Sequence, residues 1–551
     1  MRISHCGPTA AIVTFAAFAC ALLSLPPTVR AQLPDCTLVD QALGILAPGG
    51  CIAKSLRDQI GAGQGDVATV GSSTYLIKRD PARAIRRGRQ LFQRKFSAAE
   101  GVGPRVNLRG SGDITATRAL GAGLADSCAA CHGRPRGAAG HGGDVSTFPD
   151  SRDAPHLFGL GLIEMLADEM TADLRAIREQ ALQEARGPGN RPPSGRGRSV
   201  TKPLVSKGVD FGTITVFANG NVDTSGVRGV DADLRVRPFF HHGGVASIRE
   251  FIIGALNDEM GLQAWDPILC AATDPQQAQS VESAAGFRYD PAGDTFNRPP
   301  ACDASEDPDG DGVPGEIDPA IVDYIEFYLL NYLKPALYRQ TPRTAEGLAL
   351  MESIGCTSCH VRTLEIERDR RIVDVETVHD PEQGIFNELF AEVFPLFGPL
   401  DDGAAYPQLL PLGGTFAVEN VFTDLKRHDL GPAFQERDYD GSRITEHVTE
   451  PLWGVGTSAP YGHDGRSVTL DAVIRRHGGE AEPVTAAYVA LSADDQDKIV
   501  DFLETLVLFP PDDTASGLNP GVPGSDDPQL PENHGSINVG ALFQIESEGE
   551  E

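Results

Sequence analysis

Two copies of the pentapeptide Cys-x-x-Cys-His are the residues of this sequence whose types and spacing carry the most specific chemistry. The cysteines and histidines of the two copies are Cys128, Cys131 and His132, and Cys356, Cys359 and His360. In this pattern both thiols bond covalently to the vinyl groups of a c-type haem, and the adjacent imidazole becomes an axial ligand of the iron. A zinc ribbon would need its Cys pairs about 15–20 residues apart. A thioredoxin-type pair would need a βαβ context, which neither copy has. The sequence therefore predicts two covalently bound haem c groups.

The segment after the second motif contains a candidate for the other axial ligand of its iron. Residues 459–466 are Ala-Pro-Tyr-Gly-His-Asp-Gly-Arg, and a helix predicted from Thr469 ends at His477, just before Gly478. A histidine in the last helical turn before a glycine can turn its ring away from the helix end and toward a cofactor. The same position also suits a histidine that only caps the helix end.

This part of the chain resembles a known family. Residues 451–481 contain the runs Pro-Leu-Trp-Gly, Ala-Pro-Tyr-x-His-Asp-Gly-Arg, Thr-Leu-x-x-Ala and His-Gly-Gly-Glu-Ala. These runs are similar to those of the di-haem c-type oxidoreductase (peroxidase) family, a relative of the bacterial di-haem cytochrome c peroxidases and of the di-haem enzyme that matures methylamine dehydrogenase. The resemblance extends over about 83–510.

The resemblance implies roles for several residues near the second motif. His477 would be the distal ligand of a haem held between His360 and His477, and His463 would lie near that haem without binding iron. Trp453 would be an aromatic bridge between the haems, although a place in the core suits a tryptophan equally well.

The other axial ligand of the first haem is not evident from the sequence. The histidines and methionines in that part of the chain are His141, His156, His241, His242, Met165, Met170 and Met260. Met170 fits an apolar helical stripe, which favours core packing. Glu259 and Met260 lie where we expect related sequences to be rich in histidine, so Met260 is a candidate iron ligand and Glu259 a candidate proton donor. Glu164, in a segment that also resembles the family, is a second candidate catalytic carboxylate.

An acidic segment has the oxygen-ligand spacing of a calcium loop. Its carboxylates at positions 1, 3, 5 and 12 are Asp307, Asp309, Asp311 and Asp318. Gly312 occupies the sharp turn that the pattern requires. Asp318 stands where a bidentate Glu is usual, and Glu316 could serve instead. An acidic surface turn is the alternative, but the peroxidase relatives bind calcium between their haem domains, which favours one calcium ion.

The beginning of the chain predicts export to the periplasm. Residues 1–31 combine Arg2, an apolar stretch and a small-residue cleavage site, which is the pattern of a secretory signal peptide. No other run approaches the length of a membrane span. The net charge of −30 disfavours nucleic acid and anionic membranes as partners. The charge either serves solubility alone or steers a small basic electron donor, a cytochrome or a cupredoxin.

Four cysteines remain after those of the signal peptide and the haem motifs are set aside. They are Cys36, Cys51, Cys270 and Cys302. An even number suits disulfides in an oxidising compartment. Pairing of neighbours, Cys36 with Cys51 and Cys270 with Cys302, is the simplest connectivity, and the two other pairings stay open.

The predicted fold class is mainly α, with two cytochrome c-like helical haem domains. The predicted segments are a signal peptide at 1–31, an N-terminal extension at 32–82, the first haem domain at 83–340, the second at 341–512 and an acidic, disordered tail at 513–551. A helix precedes each haem motif and a similar helix closes each domain. Insertions enlarge the first domain: a helix over 160–182, a hairpin over 211–222 and a helix over 246–256.

These patterns together predict a periplasmic di-haem enzyme with peroxidase-like activity. Electrons would enter at the second haem, and hydrogen peroxide or a related oxidant would be reduced at the first, where a carboxylate acts as general acid and base. A non-catalytic electron carrier is one alternative. A di-haem oxygenase or protein-modifying enzyme on the same scaffold is the other.

Overall fold

The computed structural model of the protein describes residues 72–79, 81–96, 127–132, 153–187, 199–274, 276–277, 298–308, 312–331, 335–337, 340–367, 415–437 and 442–508. All of them belong to one compact unit, Ala62–Glu551. The predictions that lie outside the described residues are the signal peptide, most of the N-terminal extension, the acidic tail, Cys36, Cys51, His141, Asp309 and Asp311.

The described part of the chain is mainly helical, with short strands. The α-helices in chain order are α1 (Ser73–Arg79), α2 (Pro81–Gln93), α3 (Cys128–Cys131), α4 (Leu160–Arg186), α5 (Ile248–Gly254), α6 (Pro267–Thr273), α7 (Pro319–Asn331), α8 (Pro342–Ser353), α9 (Leu470–Arg476), α10 (Glu482–Ala490) and α11 (Ala493–Glu504). A π-helix, Ala255–Glu259, continues α5, and 3-10 turns lie at Cys356–Ser358, Val455–Thr457 and Gly479–Ala481. No helix among the described residues has the length and apolarity to cross a membrane.

The strands are antiparallel and occur in small groups. They are β1 (Ser199–Ser206), β2 (Val209–Phe217), β3 (Val222–Asp223), β4 (Pro335–Leu337), β5 (Leu364–Ile366), β6 (Phe416–Val418), β7 (Arg427–Asp429), β8 (Glu436–Arg437), β9 (Arg443–Ile444), β10 (Glu446–Val448) and β11 (Leu506–Leu508). β1, β2 and β3 form one sheet in that order, and the pairs β4–β11, β5–β6, β7–β10 and β8–β9 are separate ladders. The predicted turn near Asn219 joins β2 to β3, whereas β1 was not predicted from the sequence.

The helix starts follow from local capping chemistry. Thr341 and Thr344 form a reciprocal capping box at the start of α8, in which each side chain accepts from the other residue's backbone N–H. Ser492 accepts from Asp495 N at the start of α11. The helix predicted after Ser492 is thereby confirmed.

The same helix crossing occurs twice, once in each half of the described chain. α2 packs against α7, and α8 packs against α11. A glycine lies at each crossing: a Cβ added to Gly88 would lie 2.0 Å from the Tyr324 carbonyl oxygen, and one added to Gly347 would lie 1.9 Å from that of Lys498. Only glycine permits backbones to approach this closely. In each half, the helix before the haem motif thus pairs with the helix that ends that half.

Helix α4 supplies much of the core of the first half. Leu162, Leu166, Met170 and Leu174 recur at a spacing of four residues and are fully buried. Burying each such side chain contributes about 1.5–3 kcal/mol. Met170 is therefore a core residue, as its place in the apolar stripe predicted.

The predicted disulfide between Cys270 and Cys302 is confirmed. The two sulfurs are bonded, and the Cα atoms lie 5.8 Å apart. The bond joins α6 to the segment that leads into the acidic loop.

Candidate haem site

Both Cys-x-x-Cys-His motifs lie in the wall of one cavity of about 750 Å³. The first motif forms the single-turn helix α3, and the second forms the 3-10 turn Cys356–Ser358 that follows α8. None of the four thiols is in a disulfide bond. Burial raises the pKa of Cys128 to about 12 and that of Cys356 to about 11, so both are neutral thiols near neutral pH.

The two motif histidines are held in the same way. His132 donates from Nδ1 to the Pro155 carbonyl at 2.7 Å, and His360 donates from Nδ1 to the Phe422 carbonyl at 3.0 Å. Burial lowers the pKa of each ring to about 4. A neutral imidazole whose Nδ1–H is bonded to a carbonyl presents Nε2 as the metal-binding nitrogen. The thiols, the oriented imidazoles and the cavity that they border therefore fit two haem groups.

His477 repeats this arrangement at the end of α9. Its Nδ1 donates to the Val473 carbonyl at 2.7 Å, its ring packs edge-on against Phe434, and burial lowers its pKa. His360 and His477 are close enough that charge on one lowers the pKa of the other. Capping the helix end uses Nδ1 and leaves Nε2 for iron, so the two roles predicted for His477 are compatible.

Other groups of the cavity wall include a carboxyl, a thioether and a third histidine. Glu259 and Met260 line the cavity at the end of the π-helix, and Met260 is buried. π-Helical turns are frequent at functional sites. His156 also lines the cavity, but Nε2 bonds to the Trp453 carbonyl at 2.9 Å and Nδ1 accepts from Phe158 N. Both nitrogens of His156 are thus already in use.

Glu164 does not reach the cavity wall that the described residues form. It is fully buried on α4, and its Oε2 accepts from Ile248 N at 2.7 Å. Desolvation, with a smaller contribution from the nearby Asp168, raises its pKa well above the usual range. Glu164 therefore connects α4 to the start of α5.

Trp453 joins the two halves at the cavity. Its ring is buried and lies against Gly159, where an added Cβ would be 2.5 Å from Cζ2. Its carbonyl accepts a hydrogen bond from His156. His156 follows Pro155, whose carbonyl orients His132. Trp453 thus lines the cavity and contacts the segment that holds the first motif histidine.

Two ionisable groups of the wall were missed by the sequence. Glu450 lies deep in the protein with its side chain exposed to the cavity, and desolvation raises its pKa to about 7. His428 bonds to Asp424 at 2.8 Å and to Glu480 at 2.9 Å. Burial alone would lower the pKa of His428, but hydrogen bonds to Asp424, Cys359 and Glu480 raise it to about 11. No local motif marks either residue, since only the fold brings them to the cavity.

The described part of the acidic loop shows its carboxylates in turns. Asp307 accepts from Gly312 N at 3.0 Å, and Asp318 accepts from Ala320 N at 2.9 Å at the start of α7. Glu316 accepts from Gln263 N. The predicted ligands at positions 3 and 5 lie outside the described residues, so calcium binding stays a prediction.

Known proteins resemble the chain in part. Residues 415–506 match the family described as "Di-haem oxidoreductase, putative peroxidase". No curated protein matches the chain. Among solved structures, a MauG-like protein associated with microbial copper homeostasis is 16% identical at a TM-score of 0.20, covering 53% of this chain and 76% of that one. Hydrazine synthase of Kuenenia stuttgartiensis is 15% identical at a TM-score of 0.20 and covers 34% of this chain. The match spans 56% of the hydrazine synthase chain.

The family match begins at β6 and ends at the first residue of β11, and therefore contains His477, Trp453 and the acceptor carbonyl of Phe422. These residues lie around the second motif histidine. The same segment contains the runs between 451 and 481 on which the resemblance was based. Over residues 415–506, the chain is similar to the di-haem oxidoreductase family.

Proposed function

We propose that this protein is a periplasmic di-haem c-type oxidoreductase that reduces hydrogen peroxide or a related oxidant. The family match supports a di-haem oxidoreductase. We extend that assignment to covalent attachment of both haems, through Cys128, Cys131, Cys356 and Cys359. The presence of both motifs in one cavity wall supports this step. Bound haem would supply the one-electron chemistry of iron that the protein side chains lack.

The observation that carries the proposal is the difference between the two motif sites. Beside the second motif, His477 presents a neutral imidazole whose orientation is set by the Val473 carbonyl. His156 lies near His132 and has both nitrogens engaged, and Glu259 lines the same cavity. On this proposal, the second site holds two imidazoles, and Glu259 supplies a carboxyl at the first, where a small oxidant would bind.

Glu259 would move protons at the first site. Reduction of one peroxide molecule to two water molecules consumes two electrons and two protons. The Glu259 carboxylate would accept the proton of the peroxide oxygen that binds and return it to the oxygen that leaves. A carboxyl in this role accelerates a reaction by about 10²–10⁴-fold.

Electrons would enter at the second site and pass to the first. Trp453 lines the cavity and contacts Gly159 and His156, so it connects the two sites through packed atoms. The net charge of −30 favours a small basic donor protein, a cytochrome or a cupredoxin, because complementary charge raises the association rate.

The repeated helix crossings support two cytochrome c-like domains within 83–340 and 341–512. Each half has a helix before its motif, a motif turn and a closing helix that returns to the first. A calcium ion at the loop of Asp307 and Asp318, and export by the signal pattern of 1–31, belong to the same proposal.

One observation favours a different function. Met260 is buried in the cavity wall beside Glu259, and a thioether is a good iron ligand. If Met260 binds the first iron, both irons are six-coordinate and the protein is an electron carrier. An oxygenase or protein-modifying activity on the same scaffold needs an open site at the first iron, as the peroxidase does.

The test is spectroscopy of the purified holoprotein, followed by peroxide turnover. Visible and paramagnetic-resonance spectra of the resting and half-reduced states would report one low-spin and one high-spin haem. Carbon monoxide would bind to one haem of the reduced protein, and peroxide would be consumed with a reduced donor. Carbon monoxide binding at neither haem would support the electron carrier. An open site without peroxide turnover would favour the oxygenase or protein-modifying enzyme.

A further inference from the structure

Three histidines that line the cavity meet one buried glutamate. They are His241, His447, His463 and Glu436. His241 comes from a turn before α5, Glu436 from β8, His447 from β10 and His463 from the loop before α9. The sequence analysis predicted a place near a haem for His463 and named His241 among the histidines of the first half. It assigned no role to His447 or Glu436.

The donor atoms are close to one another. Nitrogen atoms of the three imidazoles lie within 4.8 Å of one another. Glu436 touches two of the rings, since Oε1 lies 2.7 Å from Nε2 of His241 and Oε2 lies 3.6 Å from Nε2 of His463. The ring centroids are 4.5 Å apart for His447 and His463, 4.7 Å for His241 and His463, and 5.4 Å for His241 and His447.

Backbone bonds hold the donor-bearing segments in place. Val448 N, next to His447, donates to the His241 carbonyl at 2.7 Å. The His463 carbonyl accepts from Asp153 N at 2.7 Å, and the paired backbones of Tyr461 and Ser467 close its loop. The cluster is therefore supported by packed structure and not by mobile side chains alone.

The donor atoms of the cluster and their burial suit a metal cation. His447 and Glu436 are almost completely buried, with 4% and 2% of their surface exposed. Neutral imidazole is the form that binds metals. The buried Glu436 carboxylate adds oxygen donors to the three imidazoles.

We propose that His241, His447, His463 and Glu436 form a binding site for a divalent transition-metal ion. Three imidazoles and one carboxylate are a donor set that suits Zn²⁺ and its neighbours, and not Ca²⁺ or Mg²⁺. Ligand atoms around a tetrahedral Zn²⁺ ion are roughly 3.4 Å apart at a bond length of about 2.0–2.1 Å. Closing from 4.8 Å needs each nitrogen to move by less than about 1 Å, within the reach of side-chain rotation.

The ion would fasten the first half of the chain to the second. His241 precedes the first closing helix α7, whereas the other three ligands follow the second haem motif. A metal that binds the folded chain stabilises it by RT ln(1 + [metal]/Kd), which is about 2.7 kcal/mol when the metal is at a hundred times Kd. The inference does not depend on peroxide reduction or on how either iron is ligated.

The test is zinc binding by the purified holoprotein. The protein is first treated with a chelator and then titrated with Zn²⁺, and haem is counted separately from total zinc and iron by elemental analysis. We expect one zinc per chain and a higher unfolding temperature with zinc present. His447→Gln and Glu436→Gln should each weaken zinc binding at least about 10–100-fold, because loss of a direct ligand costs no less than loss of its supporting group.

Phe239→Leu is the matched control. Phe239 is buried in the same wall and the same turn as His241, but it offers no donor atom. This variant should bind zinc as the wild type does. A loss of zinc binding in the ligand variants alone would then be due to the missing donor atom and not to disturbed packing. Glu436→Gln preserves the shape of the side chain, and its haem content shows whether the variant has folded.

Two outcomes would overturn the assignment. Absence of zinc from the wild-type holoprotein, with a changed haem spectrum in His447→Gln, would mean that these imidazoles bind haem carboxylates instead. Zinc retained at full affinity by both ligand variants would place the ion elsewhere in the chain.

Discussion

At the residue scale, the two nitrogens of each histidine decide what the ring can do. His132, His360 and His477 each use Nδ1 to donate to a backbone carbonyl, which leaves Nε2 to a metal. His156 lines the same cavity but spends one nitrogen on the Trp453 carbonyl and the other on the Phe158 amide. All four residues are histidines. Whether Nε2 is free of a protein hydrogen bond decides whether the ring can bind a metal or only supports its neighbours.

His477→Ala is expected to change the ligation of one haem. Loss of the second imidazole leaves that iron with His360 alone, so one low-spin signal should become high-spin while both haems stay attached. Paramagnetic-resonance spectra of the oxidised protein measure this. Low-spin signals unchanged from wild type would show that another residue binds the second iron.

Glu259→Gln is expected to lower peroxide turnover by about 10²–10⁴-fold with both haems retained, because Gln cannot transfer the proton. Glu164→Gln is the matched control. Desolvation raises the pKa of Glu164, and Gln can still accept from Ile248 N. Steady-state kinetics should show near-normal turnover for Glu164→Gln. Equal losses in the two variants would contradict the assignment of Glu259.

At the element scale, one helix crossing stabilises each half of the described chain. Each depends on a glycine that faces a carbonyl of the partner helix, Gly88 against Tyr324 and Gly347 against Lys498. The crossings place the helix before each motif, and therefore the motif turn itself, at a set position in the cavity wall.

Gly88→Ala and Gly347→Ala should each lower the free energy of unfolding by about 1–3 kcal/mol, because the added methyl group forces the helices apart. Gly254→Ala is the control, since nothing lies within 4 Å of a Cβ added there, on the last residue of α5. That variant should be neutral or stabilise the protein by about 0.5–1 kcal/mol. Chemical denaturation of the three variants measures the difference, and equal effects at all three glycines would mean that the crossings are not tight.

A buried charge network connects α5 to α7. Arg249 bonds to Asp266 at 2.5 Å, to Asp323 at 2.9 Å and to Glu326 at 2.7 Å. Desolvation raises the pKa of Glu326 to about 7 although Arg249 opposes the shift. Three carboxylates around one guanidinium leave an excess of negative charge.

This raised pKa predicts how stability changes with pH. A carboxyl whose folded pKa exceeds its unfolded value stabilises the folded state fully below the unfolded pKa and loses that contribution as pH rises through about 7. Glu326→Gln should remove a decrease on the order of 2–3 kcal/mol between pH 4.5 and pH 7. Unfolding free energies of wild type and variant at both pH values provide the check. A parallel pH dependence in the two proteins would assign the decrease to other groups.

At the scale of the whole molecule, one cavity connects both motif sites, and Trp453 lies in its wall. Trp453→Phe should slow the redistribution of electrons between the haems after rapid half-reduction, because the larger aromatic bridge is lost. Trp265→Phe is the control, since Trp265 is the second of the two tryptophans and is not part of the cavity wall among the described residues. Stopped-flow spectra resolve the exchange, and equal rates in both variants would exclude Trp453 as the path.

Much of the molecule could be predicted from the sequence, since several signals are local. The haem motifs, the helix starts at Pro319 and after Ser492, the turn near Asn219 and the position of His477 each depend on residues within a few places of one another. Glu259 lines the cavity, and its role as a proton donor stays a prediction, whereas Glu164, the other predicted catalytic carboxylate, lies in the core between helices. Helical spacing shows that a face is buried, but not whether it faces a cavity or another helix.

The sequence by itself determined that two Cys-x-x-Cys-His turns are present and where their histidines stand, because that chemistry is set by neighbouring residues along the chain. Only the tertiary structure decided which nitrogens remain for a metal, that both motifs share one cavity, and that His241 meets His463 and Glu436. These relations depend on contacts between distant segments, and such contacts follow from packing and desolvation over the whole fold, which no local pattern encodes.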